Sequence, residues 1–178
     1  MHLARTARAA QAGRRKDLAR AAAWLSRQVD RVSMAAAAAL AAGMTVTLGL
    51  QVLFRFVVRS PLSWSEELAR YCFVWLASLG AAAALRRGLH PALELGTTGQ
   101  QGRGRPRWQI LGELSAGVFL LVVAVYGWRL AAFNMRQVSP AMGLPMGVPY
   151  AAVPTAACVM LLHLLARWSS PGEDGGEP

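Results

Sequence analysis

Four stretches that are nearly free of charged residues constrain this chain more than any other feature. Residues 32–54 and 137–166 carry no charge, and residues 108–128 carry only Glu113. A helix needs about 20 apolar residues to cross the roughly 30 Å of bilayer hydrocarbon, and these stretches are long enough. Charged residues make up 16% of the chain, against about 25% in a typical soluble domain. The chain is therefore predicted to be an all-α integral membrane protein.

The fourth apolar stretch, residues 71–85, is too short to span a bilayer and must include part of the segment before it. The sequence therefore predicts a four-helix membrane domain over residues 32–168. Its transmembrane helices are expected at about 32–54, 64–86, 108–130 and 148–167. The last ten residues, 169–178, are predicted to form a disordered acidic tail.

The positive charges predict the orientation of the helices. Of the 19 Lys and Arg residues, eight precede the first span, five lie in the second connection and one follows the last span. That places 14 Lys and Arg residues on one side of the membrane and five on the other. Because cytoplasmic loops carry the excess of Lys and Arg, both termini and the second connection are predicted to be cytoplasmic, and the motif Trp64–Glu67 is predicted to face outward.

Residues 1–31 are predicted to form a basic amphipathic cytoplasmic leader. Leu18, Ala22, Leu25 and Val29 recur at helical spacing, with arginines on the other faces, which is typical of a helix lying on the inner leaflet. A cleavable signal peptide is the alternative. Its apolar region would be about 7–15 residues, shorter than the first span, so the first span is interpreted as permanent.

Three charged residues, Glu66, Glu67 and Arg70, directly precede an apolar run. They lie in the segment Pro61-Leu-Ser-Trp-Ser-Glu-Glu-Leu-Ala-Arg-Tyr-Cys-Phe-Val-Trp-Leu-Ala-Ser-Leu-Gly80. Ser63 and Glu66 have the spacing of a helix capping box. Arg70 follows Glu66 at i+4 and Glu67 at i+3, so the three are expected to share one helix face. A well-capped helix start explains one carboxylate. The second carboxylate, with Trp64 and Trp75 nearby in the sequence, favours a contact with a partner instead.

The net charge of +10 raises the possibility of nucleic-acid binding, which the sequence disfavours. The positive charges are split among three segments separated by membrane spans, so they form no single basic face. Attraction to anionic lipid on the cytoplasmic leaflet explains the same residues. Membrane lipid is therefore a predicted partner and nucleic acid is not.

The chain offers little for catalysis, and we predict no catalytic residue, metal or cofactor. Cys72 and Cys158 lie in separate spans and are interpreted as small apolar residues. Glu113 is expected to pair with a cytoplasmic arginine or to reach the headgroups. His90 and His163 could be imagined as haem ligands, which gives the alternative of a haem- or quinone-linked anchor subunit of a respiratory complex.

The motif from Trp64 to Arg70 resembles the small membrane subunit of TRAP (tripartite ATP-independent periplasmic) transporters, the DctQ-like family. Three further features carry the same resemblance: Trp75, the stretch from Gly80 to His90, and Ser139-Pro-Ala-Met-Gly-Leu-Pro-Met. The likeness covers roughly residues 30–168. Pro91 departs from the family pattern, in which an amphipathic stretch follows the histidine.

The resemblance implies a three-part importer in the bacterial inner membrane. A periplasmic binding protein would deliver an organic acid, and a large multi-span permease subunit would carry it with a coupling cation. The small subunit would support the scaffold of the large one and would not be an enzyme. The resemblance implies subunit-contact roles for Trp64, Glu66, Glu67, Arg70, Trp75, Gly80 and His90.

Overall fold

The structure is a computed structural model that describes residues 2–87 and 107–169. It contains helix α1 (His2–Leu53), which ends in a π-helical turn (Phe54–Val58), then helices α2 (Ser65–Arg86) and α3 (Arg107–Phe133). A 3-10 turn (Asn134–Arg136) leads to the short helix α4 (Gly147–Tyr150) and to α5 (Ala152–Ser169). The described residues form no β-strand beyond one isolated bridge between Val138 and Pro145.

Four helical stretches are long and apolar enough to cross a membrane. They are Arg20–Val58, Ser65–Arg86, Ile110–Arg136 and Gly147–Trp168. The predicted all-helical class with four spans is confirmed. The cytoplasmic placement of the two termini stays a prediction.

Helix α1 is continuous across the predicted boundary between leader and first span. Its most buried positions are small or polar, namely Ser26, Asp30, Ser33, Ala37 and Thr47. They recur at helical spacing and form the face that meets α2 and α5. The apolar side chains of the leader, Leu18 and Leu25, are exposed. Their contact with the inner leaflet stays a prediction.

The helices approach one another through small side chains. Most of the buried apolar residues are alanines, whereas the large apolar residues of α3, such as Phe119, Tyr126 and Phe133, are exposed. Helices α1, α2 and α5 contact one another, and α3 packs along α5. Small residues let membrane helices come close, and large ones are left to face lipid or another protein. Small residues inside and large apolar residues outside are typical of a membrane protein.

Pro154 accounts for the break between α4 and α5. A proline removes one helical hydrogen bond and its ring clashes with the carbonyl four residues earlier, here that of Tyr150. The helix is interrupted at Ala151 and resumes at Ala152. The proline ring is fully buried and lies against Gly127 of α3, where an added Cβ would be 2.9 Å from Pro154 Cβ.

Candidate functional site

The predicted motif lies at one end of the helices, where the α1–α2 link and the connection between α3 and α4 meet. We call this the Glu67 end. Helix α2 begins at Ser65 because a turn closes onto Leu62: the Ser65 backbone N–H and hydroxyl both donate to the Leu62 carbonyl, at 3.3 and 2.8 Å. Ser65 is completely buried. The turn fixes where the glutamates project.

Ser63 is not the helix cap, and that prediction is wrong. The N-cap position belongs to Trp64, which has helical backbone angles and makes no side-chain capping bond. Since the turn onto Leu62 places the first helical residue at Ser65, the N-cap is Trp64 and Ser63 lies one position too early to cap α2. The Glu66 side chain does not turn back toward Ser63. It accepts a hydrogen bond from Gln51 Nε2 at 3.2 Å.

Glu67 holds the connection between α3 and α4. Its Oε2 atom accepts the backbone N–H groups of Ala141 and Met142, at 3.1 and 3.0 Å. Its Oε1 atom accepts the Tyr71 hydroxyl at 2.5 Å, and that hydroxyl also lies 3.2 Å from Met146 Sδ. Hydrogen bonds from amides to a carboxylate are stronger than neutral ones, and Met142 N–H also donates to Ser139 Oγ at 3.2 Å. Glu67 therefore ties α2 to a segment more than 70 residues away.

The connection is itself an ordered turn. Ser139 N–H donates to Leu144 O at 2.9 Å, Gly143 N–H donates to Ser139 O at 3.1 Å, and Met146 N–H donates to Gln137 O at 2.8 Å. Gly143 has φ +66°, a left-handed conformation that glycine adopts without steric cost. Its bonds to Glu67 show that this apolar segment packs against α2.

The three charges of the motif do not pair as expected. Among the described residues, neither glutamate forms an ion pair with Arg70. Glu67 turns toward the α3–α4 connection and Glu66 toward Gln51, while Arg70 is exposed on the outer face of α2. Backbone amides of the connection offer Glu67 two donors in fixed geometry, and these bonds take the place of an i, i+3 contact with Arg70.

The other residues of the predicted motif lie apart from this centre. Trp64 is exposed, Trp75 is half-buried, and nothing lies within 4 Å of a Cβ added at Gly80. His90 lies outside the described residues. The structure thus brings Glu67 together with the α3–α4 connection, and leaves Trp64, Arg70 and Gly80 available to a partner.

A second polar cluster, which the sequence did not predict, lies at the opposite end. Arg86 forms an ion pair with Asp30 at 2.6 Å, and the Asp30 side chain is 7% exposed. Ser26 Oγ lies 2.7 Å from Nδ1 of the buried His163. These contacts join α1, α2 and α5. The signal that could have revealed them is the i, i+4 spacing of Ser26 and Asp30 on a helix of otherwise small residues.

Glu113 joins α3 to α5 at the same end. The side chain is 2% exposed, and its carboxylate accepts a hydrogen bond from Trp168 Nε1 at 2.7 Å. Arg167 Nε lies 4.0 Å from its other oxygen. The expected pairing of Glu113 with an arginine is confirmed.

Polar contacts therefore join α1 to α2 at both ends of α2. Gln51 meets Glu66 at one end and Asp30 meets Arg86 at the other. The contacts are separated by 21 residues along α1 and 20 along α2. At 1.5 Å per residue this is about 30 Å, the thickness of the bilayer hydrocarbon. The two pairs therefore lie where polar groups can reach the headgroups.

Comparison with known proteins places this geometry in a family. Residues 44–171 match the family described as tripartite ATP-independent periplasmic transporters, DctQ component. A protein of Haemophilus influenzae named as a TRAP transporter small permease protein is 26% identical over 124 residues, which cover 70% of this chain and 77% of that protein. The C4-dicarboxylate TRAP transporter small permease protein DctQ of Rhodobacter capsulatus is 29% identical, over 58% of this chain and 47% of that protein.

A longer protein also matches. The sialic acid TRAP transporter permease protein SiaT of Haemophilus influenzae is 28% identical over 115 residues. These residues cover 65% of this chain but only 19% of that protein. A stretch similar to this chain is thus a minor part of a much longer permease polypeptide. None of these matches supports the respiratory-anchor alternative.

Proposed function

Because this chain is a multi-pass membrane protein that belongs to the DctQ component family of tripartite ATP-independent periplasmic transporters, we propose that it supports the stationary scaffold of a large permease subunit. The family of small permease subunits works with such a large subunit. In this proposal the chain sits in the bacterial inner membrane, catalyses no reaction, and leaves transport of an organic acid with a coupling cation to its partner.

The observation that carries the proposal is the family match over residues 44–171, which includes the whole of the Glu67 end. The match to part of a longer permease protein adds support, because a stretch that belongs to the same polypeptide as a permease is held close to it. A periplasmic binding protein is the third member that we propose, facing the Glu67 end.

The structure supports a scaffold role because side-chain contacts hold the helices together at both of their ends. Glu67 ties α2 to the α3–α4 connection, and Asp30 with Arg86 ties α1 to α2 at the other end. Helices held at both ends resist sliding past each other, as a stationary support must when a partner moves. The exposed Trp64 and Arg70 and the half-buried Gly80 then serve as contact residues on a rigid helix.

Gentle detergent extraction of the chain from membranes that also hold the rest of the transporter tests the proposal. We expect the chain to co-purify with a much larger multi-span protein. Isolation of a stable lone monomer from those membranes would overturn it. The variant Glu66→Ala with Glu67→Ala is expected to remain in the membrane and to lower organic-acid uptake.

A further inference from the structure

A cavity at the Glu67 end lies between the end of the first span and the start of α2. Its volume is about 370 Å³, near the lower limit for sites that bind small molecules. It is lined by two residues near the end of the first span, by the link and by the first turn of α2, namely Gln51, Arg55, Pro61, Leu62, Ser63 and Glu66. Four of these six side chains are polar or charged, so the cavity suits a polar group.

The walls of this cavity are held in place by hydrogen bonds within the chain. Ser60 N–H donates to Phe54 O at 3.2 Å, and Ser65 N–H donates to Leu62 O at 3.3 Å. Gln51 Nε2 donates to Glu66 Oε1 at 3.2 Å and so joins the wall formed by α1 to the wall formed by α2. The cavity is therefore built into the fold of the link.

Two opposite charges line the cavity without meeting. Neither Arg55 nor Glu66 forms an ion pair with a described residue, and Glu66 Oε2 accepts no hydrogen bond from one. Exposed arginines without an ion pair occur elsewhere in the described residues, for example Arg27 and Arg31, so a missing partner alone marks no site. Arg55 is distinguished by a carboxylate that lines the same cavity and lies beyond ion-pair distance.

The cavity lies at the depth of the phospholipid headgroups. Gln51 and Glu66 are about 30 Å along α1 and α2 from the polar contacts at the opposite end, which is the thickness of the bilayer hydrocarbon. Three large apolar side chains next to Gln51 and Arg55 in the chain, those of Val52, Leu53 and Phe56, are exposed. An acyl chain can pack on such side chains while its headgroup enters the cavity.

We propose that this cavity binds the headgroup of a zwitterionic phospholipid with a primary ammonium group, as in phosphatidylethanolamine. Arg55 binds the phosphate, because a guanidinium donates two parallel hydrogen bonds to phosphate oxygens. Glu66 Oε2 accepts a hydrogen bond from the ammonium group. An anionic headgroup such as that of phosphatidylglycerol leaves Glu66 without a cation, and the quaternary ammonium of phosphatidylcholine has no N–H to donate.

The test uses the complex of this chain with its large permease subunit in detergent, with photoreactive lipids that carry the reactive group in an acyl chain. Labelling of residues 51–66 is measured against the concentration of phosphatidylethanolamine, phosphatidylglycerol or phosphatidylcholine. In the wild type, phosphatidylethanolamine should have the lowest half-saturating concentration. Arg55→Gln should raise that concentration about threefold to tenfold for both phosphatidylethanolamine and phosphatidylglycerol, since both carry a phosphate.

Glu66→Gln separates recognition of the ammonium group from recognition of the phosphate. The half-saturating concentration should rise about threefold to tenfold for phosphatidylethanolamine and should not rise for phosphatidylglycerol. The variant keeps the shape of the side chain and an oxygen that can accept the bond from Gln51. Weaker binding of both lipids by Glu66→Gln would overturn the proposal, and so would equal binding of all three lipids by the wild type.

The matched control is Arg129→Gln. Arg129 is an exposed arginine that lies 5.7 Å from the centroid of the Tyr126 ring and does not line the cavity. We expect its half-saturating concentrations to equal those of the wild type. A rise equal to that of Arg55→Gln would show general attraction of lipid to positive charge and would overturn the proposal.

Two further measurements separate a lipid from other occupants of the cavity. Glycerophosphoethanolamine has the same headgroup without acyl chains, and at equal concentration it should not displace the lipid, because it lacks the apolar contacts. Equal displacement would assign the cavity to a soluble zwitterion. Labelling that occurs in the free full-length chain and is lost in the complex would assign the cavity to the large subunit. Either result would overturn the lipid site, and neither depends on uptake, so the proposed function is tested separately.

Discussion

Glu67 Oε2 accepts the backbone N–H of Met142 at 3.0 Å and so joins the first turn of α2 to the connection between α3 and α4. One carboxylate thereby holds two parts of the chain that are far apart in sequence. The same contact explains why the motif carries two adjacent glutamates: Glu67 faces the chain's own backbone, and Glu66 faces Gln51 on α1.

Replacement of Glu67 by alanine should destabilise the Glu67 end. The change removes the acceptor of the Ala141 N–H and of the Tyr71 hydroxyl, and it leaves the Met142 N–H with only Ser139 Oγ. We expect a lower thermal midpoint for the detergent-solubilised complex. Glu66→Ala is the matched control and should change stability by less than about 0.5 kcal/mol, because its bond to Gln51 is exposed. Equal losses in the two variants would contradict the assignment.

Mutation of Asp30 and mutation of Arg86 should lower the stability of the complex by unequal amounts. Arg86→Ala leaves the buried Asp30 carboxylate unpaired, whereas Asp30→Ala leaves Arg86, whose side chain is 31% exposed and can reach water. An uncompensated buried charge is the larger penalty, so Arg86→Ala is expected to lower the thermal midpoint more than Asp30→Ala. The double variant should be less destabilised than the sum of the two. The reverse order would show that Asp30 is not buried in the assembled complex.

Ser26→Ala should weaken the contact between α1 and α5. It removes the partner of His163 Nδ1, and the other ring nitrogen of this buried residue has no hydrogen-bond partner among the described residues. An unsatisfied polar group of this kind costs about 1–3 kcal/mol. Thermal unfolding checks this, with Ser115→Ala as the control, since Ser115 is exposed and bonds only to the nearby Gly112 carbonyl. Equal stability of Ser26→Ala and wild type would contradict the buried contact.

Two glycines should respond in opposite ways to alanine. A Cβ at Gly147 would collide with the backbone carbonyl of Ala131 and the side chain of Met135, so Gly147→Ala is expected to disrupt the junction of α3 and α4. A Cβ at Gly80 meets nothing within 4 Å, so Gly80→Ala should stabilise α2 by up to about 1 kcal/mol in the isolated chain.

The same Gly80 variant tests the proposed contact role. If the large subunit packs closely on α2 at this point, Gly80→Ala reduces co-purification although the isolated chain is as stable as wild type or more so. Unchanged co-purification would remove Gly80 from the contact surface.

The membrane spans could be predicted from the sequence because they depend on local composition. A run without charges indicates a span wherever it occurs, and the observed α2, Ser65–Arg86, differs from the predicted 64–86 by one residue. The start of α2 shows the limit of this reasoning. The Ser63 and Glu66 spacing fits a capping box, but the turn onto Leu62 decides where the helix begins.

The contacts that define the site could not be predicted because they join distant residues. Met142 lies 75 positions from Glu67, Asp30 lies 56 from Arg86, and Ser26 lies 137 from His163. The i, i+4 spacing of Ser26 and Asp30 marks a polar face on α1, but a single sequence does not say which distant residues that face meets. The sequence predicts a subunit-contact role for Glu67, which stays a prediction; the structure shows its carboxylate bound to backbone amides of the same chain.

Uptake by the large permease subunit in proteoliposomes, with and without this chain, tests the central claim most directly. The binding protein and a cation gradient are supplied in both cases. We predict substrate uptake when the chain is present and its loss when the chain is omitted, with wild-type chain added back restoring it. Equal uptake with and without the chain would contradict its assignment as a required subunit of the transporter.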